Sequence, residues 1–305
     1  MNKQNRLYLI ILAVLAVIFV ISKMDTKKEK RFNFFTADSN TVARIEITLD
    51  ADTLHLVKQG TDWKIEYPVV WDMQAGKMDK IYETVLTAET SSIPVSENEA
   101  SLEKYSLVDS LATHFKTIGK DGEVLDNVLI GKSSNYTSTP VRKVGSNKVY
   151  SLESNISSAL KPTLASWRKR EIIDVVPEQI TKIMVKTDDN NYTLEMADSL
   201  WLYTDEKDSF SVTDDNAALK GIINSFKRFA ASDFVDGEYD KYADALSLPV
   251  VELGIEMWSG ESYYFRYIPY EEKKYLLQLN DDTETLYVQY ESNMNKFVKL
   301  QEDFQ

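Results

Sequence analysis

A chain of 305 residues, 43% hydrophobic and 11% aromatic, carries enough apolar surface for two cores of ordinary size. Its formal charge of -13 and pI near 4.8 repel phosphate backbones over most of the surface and argue against nucleic acid as a partner. With no cysteine there is no disulfide, thiolate nucleophile, thiolate metal site or lipid-modified N-terminal cysteine.

The chain opens with a short tail, residues 1–6, and then Leu7 to Ile21 reads LYLIILAVLAVIFVI, uncharged and apolar on every face. These fifteen residues, sixteen with Ser22, are short beside the roughly 20 that a spanning helix needs, although Lys3, Arg6 and Lys23 can snorkel and extend the span. A cleavable signal peptide is the competing reading, but Val20 does not suit the small-residue position of a cleavage site. Residues 7–22 therefore read as an uncleaved transmembrane signal anchor in the cytoplasmic membrane. A literal count of basic residues, with Lys23, Lys27, Lys28, Lys30 and Arg31 after the segment, favours a cytoplasmic C-terminus. The signal-anchor layout and the indifference of large domains to flanking charge favour the opposite, so the bulk of the chain is expected outside the cytoplasm. Residues 23–41 read as a charged stalk.

From residue 42 the chain matches itself at a period of about 138 residues, as expected of a duplicated domain. Val42-Ala-Arg-Ile-Glu-Ile47 aligns with Ile180-Thr-Lys-Ile-Met-Val185, Trp63 with Trp201, Asp121-Gly122-Glu123 with Ser259-Gly260-Glu261, and Val149-Tyr150 with Leu286-Tyr287. The expected modules are residues 42–176 and 177–305. Within the first, Ile45, Ile47 and Leu49, then Leu54, Leu56, Trp63 and Ile65, alternate with the period of half-buried strands. Met73, Met78, Ile81, Val85 and Leu86 then have helical spacing, as do Ala218, Ile222, Ile223, Phe226 and Phe229 behind a capping Thr213-Asp-Asp. Strands follow near residues 112–118, 124–130 and 148–152, and near 250–257, 263–268 and 275–279, with a short closing helix in each copy. The expected fold class is α+β: an N-terminal transmembrane helix and two tandem modules of mainly antiparallel sheet with packed helices.

Several of these features together resemble a bacterial family of domains of unknown function, numbered four-three-four-zero. They are Trp63-Lys-Ile-Glu-Tyr-Pro68 with its following helix, Lys104-Tyr105-Ser-Leu107, Leu129-Ile-Gly131, Lys148-Val-Tyr150 and Trp167-Arg-Lys-Arg170-Glu-Ile-Ile173. The resemblance covers about residues 42–176 and recurs more faintly beyond. It implies a membrane-anchored envelope protein accompanying ABC-type transport components of the gliding-motility kind, in an accessory rather than catalytic role. The second copy departs from the pattern: Lys241-Tyr-Ala-Asp-Ala-Leu-Ser-Leu248 is longer, and the Leu-Ile-Gly strand end is missing.

Chemistry is sparse. His55 and His114 sit in strand contexts, and no GxSxG, P-loop, GxGxxG or HExxH pattern occurs, so no enzyme, cofactor or metal site is expected. The pairs Asp50/Asp52, Asp188/Asp189, Asp214/Asp215 and Asp281/Asp282 read as turn and cap residues without calcium-loop spacing. Two features offer binding surfaces. Arg168 and Arg170 belong to a compact basic run, which reads as helix C-terminal cations or as a docking contact for an acidic partner. Tyr263, Tyr264 and Tyr267 belong to an aromatic strand that could stack on a sugar or peptide, though alternation sends about half of such a strand into the core. The leading expectation is an extracytoplasmic accessory or scaffold protein with a membrane partner, the small ligand unknown. The alternative is a glycan- or peptide-binding module using the cleft between the two copies.

Overall fold

The computed structural model describes residues 11–18, 30–133 and 136–305. Residues 11–18 are helical and exposed. The transmembrane helix expected over 7–22 lies partly outside the described residues, and its described part does not bear that expectation out. No helix among the described residues is long and apolar enough to cross a membrane.

The expected balance of helix and sheet is also corrected. The chain forms two compact units, the first ending at Lys169 and the second running from Arg170 to Gln305, and each is dominated by one antiparallel sheet. The expected helix over Met73–Leu86 shrinks to one turn, Lys77–Lys80, followed by a wide π-type turn, Ile81–Val85. Its counterpart, Ala217–Ser225, has nine residues. That helix is capped not by Thr213-Asp-Asp but by Asn216, whose side chain accepts the Leu219 N–H at 3.0 Å.

The first sheet has ten strands: β1 (Arg31–Asn33), β2 (Val42–Leu49), β3 (Asp52–Gln59), β4 (Asp62–Tyr67), β5 (Trp71–Asp72), β6 (Glu89–Ser91), β7 (Thr113–Gly119), β8 (Val124–Ile130), β9 (Thr139–Lys143) and β10 (Tyr150–Leu152). Their order is β1-β6-β10-β9-β8-β7-β2-β3-β4-β5. The second has nine: β11 (Ile180–Thr187), β12 (Asn191–Ala197), β13 (Leu200–Thr204), β14 (Ser209–Val212), β15 (Asp233–Asp236), β16 (Val251–Met257), β17 (Ser262–Glu271), β18 (Lys274–Leu279) and β19 (Thr285–Tyr290). Their order is β14-β13-β12-β11-β16-β17-β18-β19-β15, which is the first order read from its β5 end with β1 omitted. Trp63 and Trp201 are the second residues of the equivalent strands β4 and β13. Gly122 and Gly260, at φ 82° and 88°, turn the equivalent hairpins β7–β8 and β16–β17 in the left-handed region where a side chain would be strained.

Alternation along the strands gives each sheet one fully buried face. In the first unit Ile45, Ile47, Leu54, Leu56, Phe115 and Val128 pack there beneath Ile81, Val85 and Trp167. In the second, Ile222 and Phe226 of the helical segment, with Phe229 and Phe297, cover the strands, and Phe229 meets Phe265 at 5.1 Å. The opposite face of each sheet is covered at one end only. Leu102, Leu107 and Ala112 lie over Leu129 in the first unit, and the helix Tyr239–Leu246 lies over Ile268, Leu276 and Val288 in the second.

Two boundaries differ from the sequence reading. Residues 31–41 are part of the first unit rather than a stalk: β1 pairs with β6, and Phe34, Phe35 and Ala37 are buried. The buried Asp126 carboxylate holds them, accepting the N–H groups of Thr36 and Ala37 at 2.9 Å and facing Lys143 Nζ at 3.2 Å. At the other end, residues 170–172 pair along Phe229–Ala231, with Ile172 N–H donating to Phe229 and Ala231 N–H to Arg170, so the second unit begins before Pro177.

Trp63 is 9% exposed and donates its indole N–H to the Tyr82 hydroxyl at 2.7 Å; Trp201 is 4% exposed. Replacing either by Ala should cost about 3 to 5 kcal/mol in urea melts, as for other buried aromatics. An unchanged midpoint would place that indole outside the core.

Candidate functional site

The half-face that each sheet leaves open is where functional side chains can stand. Strand register places one residue from each of five neighbouring strands in a row across its centre. In the first unit the row is Asn127, Lys116, Glu46, His55 and Tyr67, on β8, β7, β2, β3 and β4. It is filled by charge: Lys116 Nζ lies 3.2 Å from Glu46, and Arg44 lies 3.2 Å from Glu46 and 2.8 Å from Glu66. The Arg44 guanidinium also donates to His55 Nδ1 at 3.0 Å, and the His55 and Tyr67 rings are 5.2 Å apart. A cavity of about 250 Å³ remains beside His114, whose Nε2 contacts the Asp109 carbonyl at 3.1 Å. Both histidines thus lie on the open face in polar contacts.

In the second unit the equivalent row is Tyr264, Gly254, Met184, Thr193 and Thr204, on β17, β16, β11, β12 and β13. All five line one concavity of about 460 Å³, within the range of about 300 to 1,000 Å³ typical of small-molecule sites. A Cβ at Gly254 would lie 2.8 Å from Met184 Cε, so the methionine methyl rests over bare backbone and both residues form part of the lining. Lys186 and Glu252, paired at 2.8 Å, lie on the lining with Asp205 and Glu206. The Asp205 carboxylate accepts the backbone N–H groups of Asp208 and Lys207, both at 2.7 Å, and the Tyr203 hydroxyl at 2.9 Å. Those backbone donors hold its pKa below the ordinary aspartate value.

The candidate residues from the sequence separate. Tyr264 lies in this concavity, its N–H donating to the Asn280 side chain at 2.8 Å. Tyr263 and Tyr267 occupy the alternate positions of β17, which face the core side. Tyr263 is half-buried opposite Ile255. Tyr267 is fully buried and donates to Gln289 Oε1 at 3.0 Å, and burial pushes its phenol pKa up. Arg168 is buried in the first unit with its guanidinium 3.8 Å above the Trp71 ring, so it is part of a core and not a docking cation. Arg170, half-buried in the second unit, uses its carbonyl to accept the Ala231 N–H. Met184 and Gly254 escaped the sequence reading. Their signal was present in the repeat, because a shift of 138 residues aligns Met184 with Glu46, Thr193 with His55 and Gly254 with Lys116. Among the described residues no cluster of His, Asp and Glu suited to a metal ion occurs.

A family described as a domain of unknown function (DUF4340) matches residues 63–247, more than half of the chain. No curated protein and no solved structure matches.

Stacking of a desolvated guanidinium on an indole depends on its planar shape. Arg168→Ala should therefore destabilise the first unit by about 2 kcal/mol or more in urea melts, and Arg168→Lys should recover little of the loss. Full stability of the Lys variant would show that charge alone suffices at this position.

Proposed function

Because the chain belongs to the DUF4340 family, we propose that it acts outside the cytoplasm as an accessory or scaffold protein, associated with the membrane through residues 7–22 and partnering a transport system of the ABC kind. The observation that carries this reading is the open face of the first unit. There Arg44, Glu46, Glu66 and Lys116 are held in one lattice of ion pairs on the rigid strands of the sheet. These side chains are only partly covered, and ion pairs open to solvent contribute little to stability, on the order of 0 to 1 kcal/mol each. A fixed pattern of both charge signs is well suited to selecting the register of a protein surface. The resemblance to envelope proteins that accompany ABC-type components supplies the class of partner.

Crosslinking intact cells and recovering the chain tests the partnership. A membrane protein should co-purify in near one-to-one yield and be lost when Arg44 and Lys116 are both changed to Glu. Recovery of the chain without any membrane protein would refute the scaffold role. Protease added outside intact spheroplasts tests the location, with digestion of both units expected; protection until permeabilisation would move the protein and its partner to the cytoplasm.

A further inference from the structure

We infer that the open-face concavity of the second unit binds a small amphipathic cation: an amine carrying a flat apolar body. This inference is independent of the scaffold role, since it concerns the other unit and a different kind of ligand.

The two sheets share one row of five residues across the open face. In the first unit its centre is occupied by the Glu46–Lys116 pair and the His55–Tyr67 contact, with a smaller, polar cavity left beside His114. In the second the corresponding places hold Met184 and Gly254, so two charged side chains give way to a thioether and to no side chain at all. A Gly in the interior of a strand has a cost relative to a residue with a side chain, and here it lets the Met184 methyl lie directly against the backbone as part of the lining. The result is an apolar seat of about 460 Å³ with Tyr264 at one end of the row and Thr193 and Thr204 at the other. Arg266 lies over the Tyr264 ring at 5.2 Å and pairs with Asp281, so this cation is already neutralised beside the seat. A ring together with a polarisable sulfur favours a flat apolar body.

Charge selects the sign of the head group. Among the residues lining the concavity three are carboxylates, Asp205, Glu206 and Glu252, and one is an ammonium, Lys186, which is engaged by Glu252. Asp205 and Glu206 remain as negative charge on the lining, and Asp205 is fixed in place by two backbone N–H groups and the Tyr203 hydroxyl. An anionic ligand of the same size would meet this charge unfavourably, and a neutral one would gain nothing from it.

Phenethylamine, with phenethyl alcohol and 3-phenylpropionate as neutral and anionic counterparts, is the probe set. The full chain carrying ¹³C-methyl methionine is titrated with each, and the Met184 methyl signal, assigned by its loss in Met184→Leu, is followed. The amine should shift it saturably, with affinity about tenfold or more above either counterpart, the size expected when one charge contact is kept or lost. Asp205→Asn with Glu206→Gln should erase that preference; Glu206 is exposed, and Asn at the half-buried position 205 keeps an oxygen for the Lys207 and Asp208 N–H groups of the turn, with the thermal midpoint checking that the fold is retained. Gly254→Lys, which installs the residue standing at the equivalent place in the first unit, should abolish the shift while the thermal midpoint shows the chain still folded. If that variant does not fold, the carboxylate pair alone decides. No saturable shift at Met184, equal response to the three probes, or a preference unchanged in the carboxylate variant would overturn the proposal.

Discussion

An antiparallel sheet of nine or ten strands has two faces, and the short helices of each unit can cover only one face and part of the other. Everything else in the molecule follows from that shortage of cover. A face without cover must be lined by side chains that water can solvate, and a face with cover must be apolar at every second position. Along β2 this gives buried Ile45 and Ile47 beside Arg44 and Glu46, and along β11 buried Ile183 and Val185 beside Lys182 and Met184. Half a face is thus left in each unit on a rigid support, free to carry chemistry that the core does not need.

Where cover is present it is tied down by buried polar groups. In the first unit the Arg142 guanidinium donates to the Leu107 carbonyl at 2.9 Å and the Ser146 carbonyl at 3.2 Å, which fixes the segment that carries Leu107 and Ala112 over Leu129. Asp126 does the same for Phe34 to Ala37, and Arg168 closes the end of the unit against Trp71. Each of these charges is buried with hydrogen-bond or aromatic partners, the condition under which a protein interior tolerates it. Their common effect is to attach segments far apart in the chain to one sheet.

The two units share a strand order but not the character of their open faces. Substitution on an open face leaves the core unaffected, because the alternate residues of the same strands do the packing. Glu46 and Met184, or Lys116 and Gly254, can therefore differ while Ile47 and Val185, or Phe115 and Leu253, stay buried and apolar. One support can in this way present an ion-pair lattice in one unit and an apolar seat in the other.

Features carried by neighbouring residues were legible before the fold was known. The period of two located most of β2 to β4, β7, β8, β11 and β16 to β18, and the indoles and turning glycines stood at equivalent places, because a strand's alternation and a turn's positive φ are written in neighbouring residues. The helical period around Met78 and Ile81 overstated the helix, since the same spacing fits a single turn followed by a wide one. Short strands such as β6, β9 and β15 had no readable pattern; Thr139–Lys143 joins the sheet through β8 and β10 rather than through any preference of its own. Only the tertiary structure decided which tyrosine of β17 is available, because alternation separates Tyr264 from Tyr263 and Tyr267 without saying which side is covered. That depends on packing from Phe229 and Phe297, far along the chain. It also decided that Arg168 is a core residue and that Phe34 and Phe35 belong to a unit rather than a stalk. In each case the partner is remote, Trp71 for Arg168 and Asp126 for the segment after Phe35, and a remote partner leaves no mark in the residues beside it.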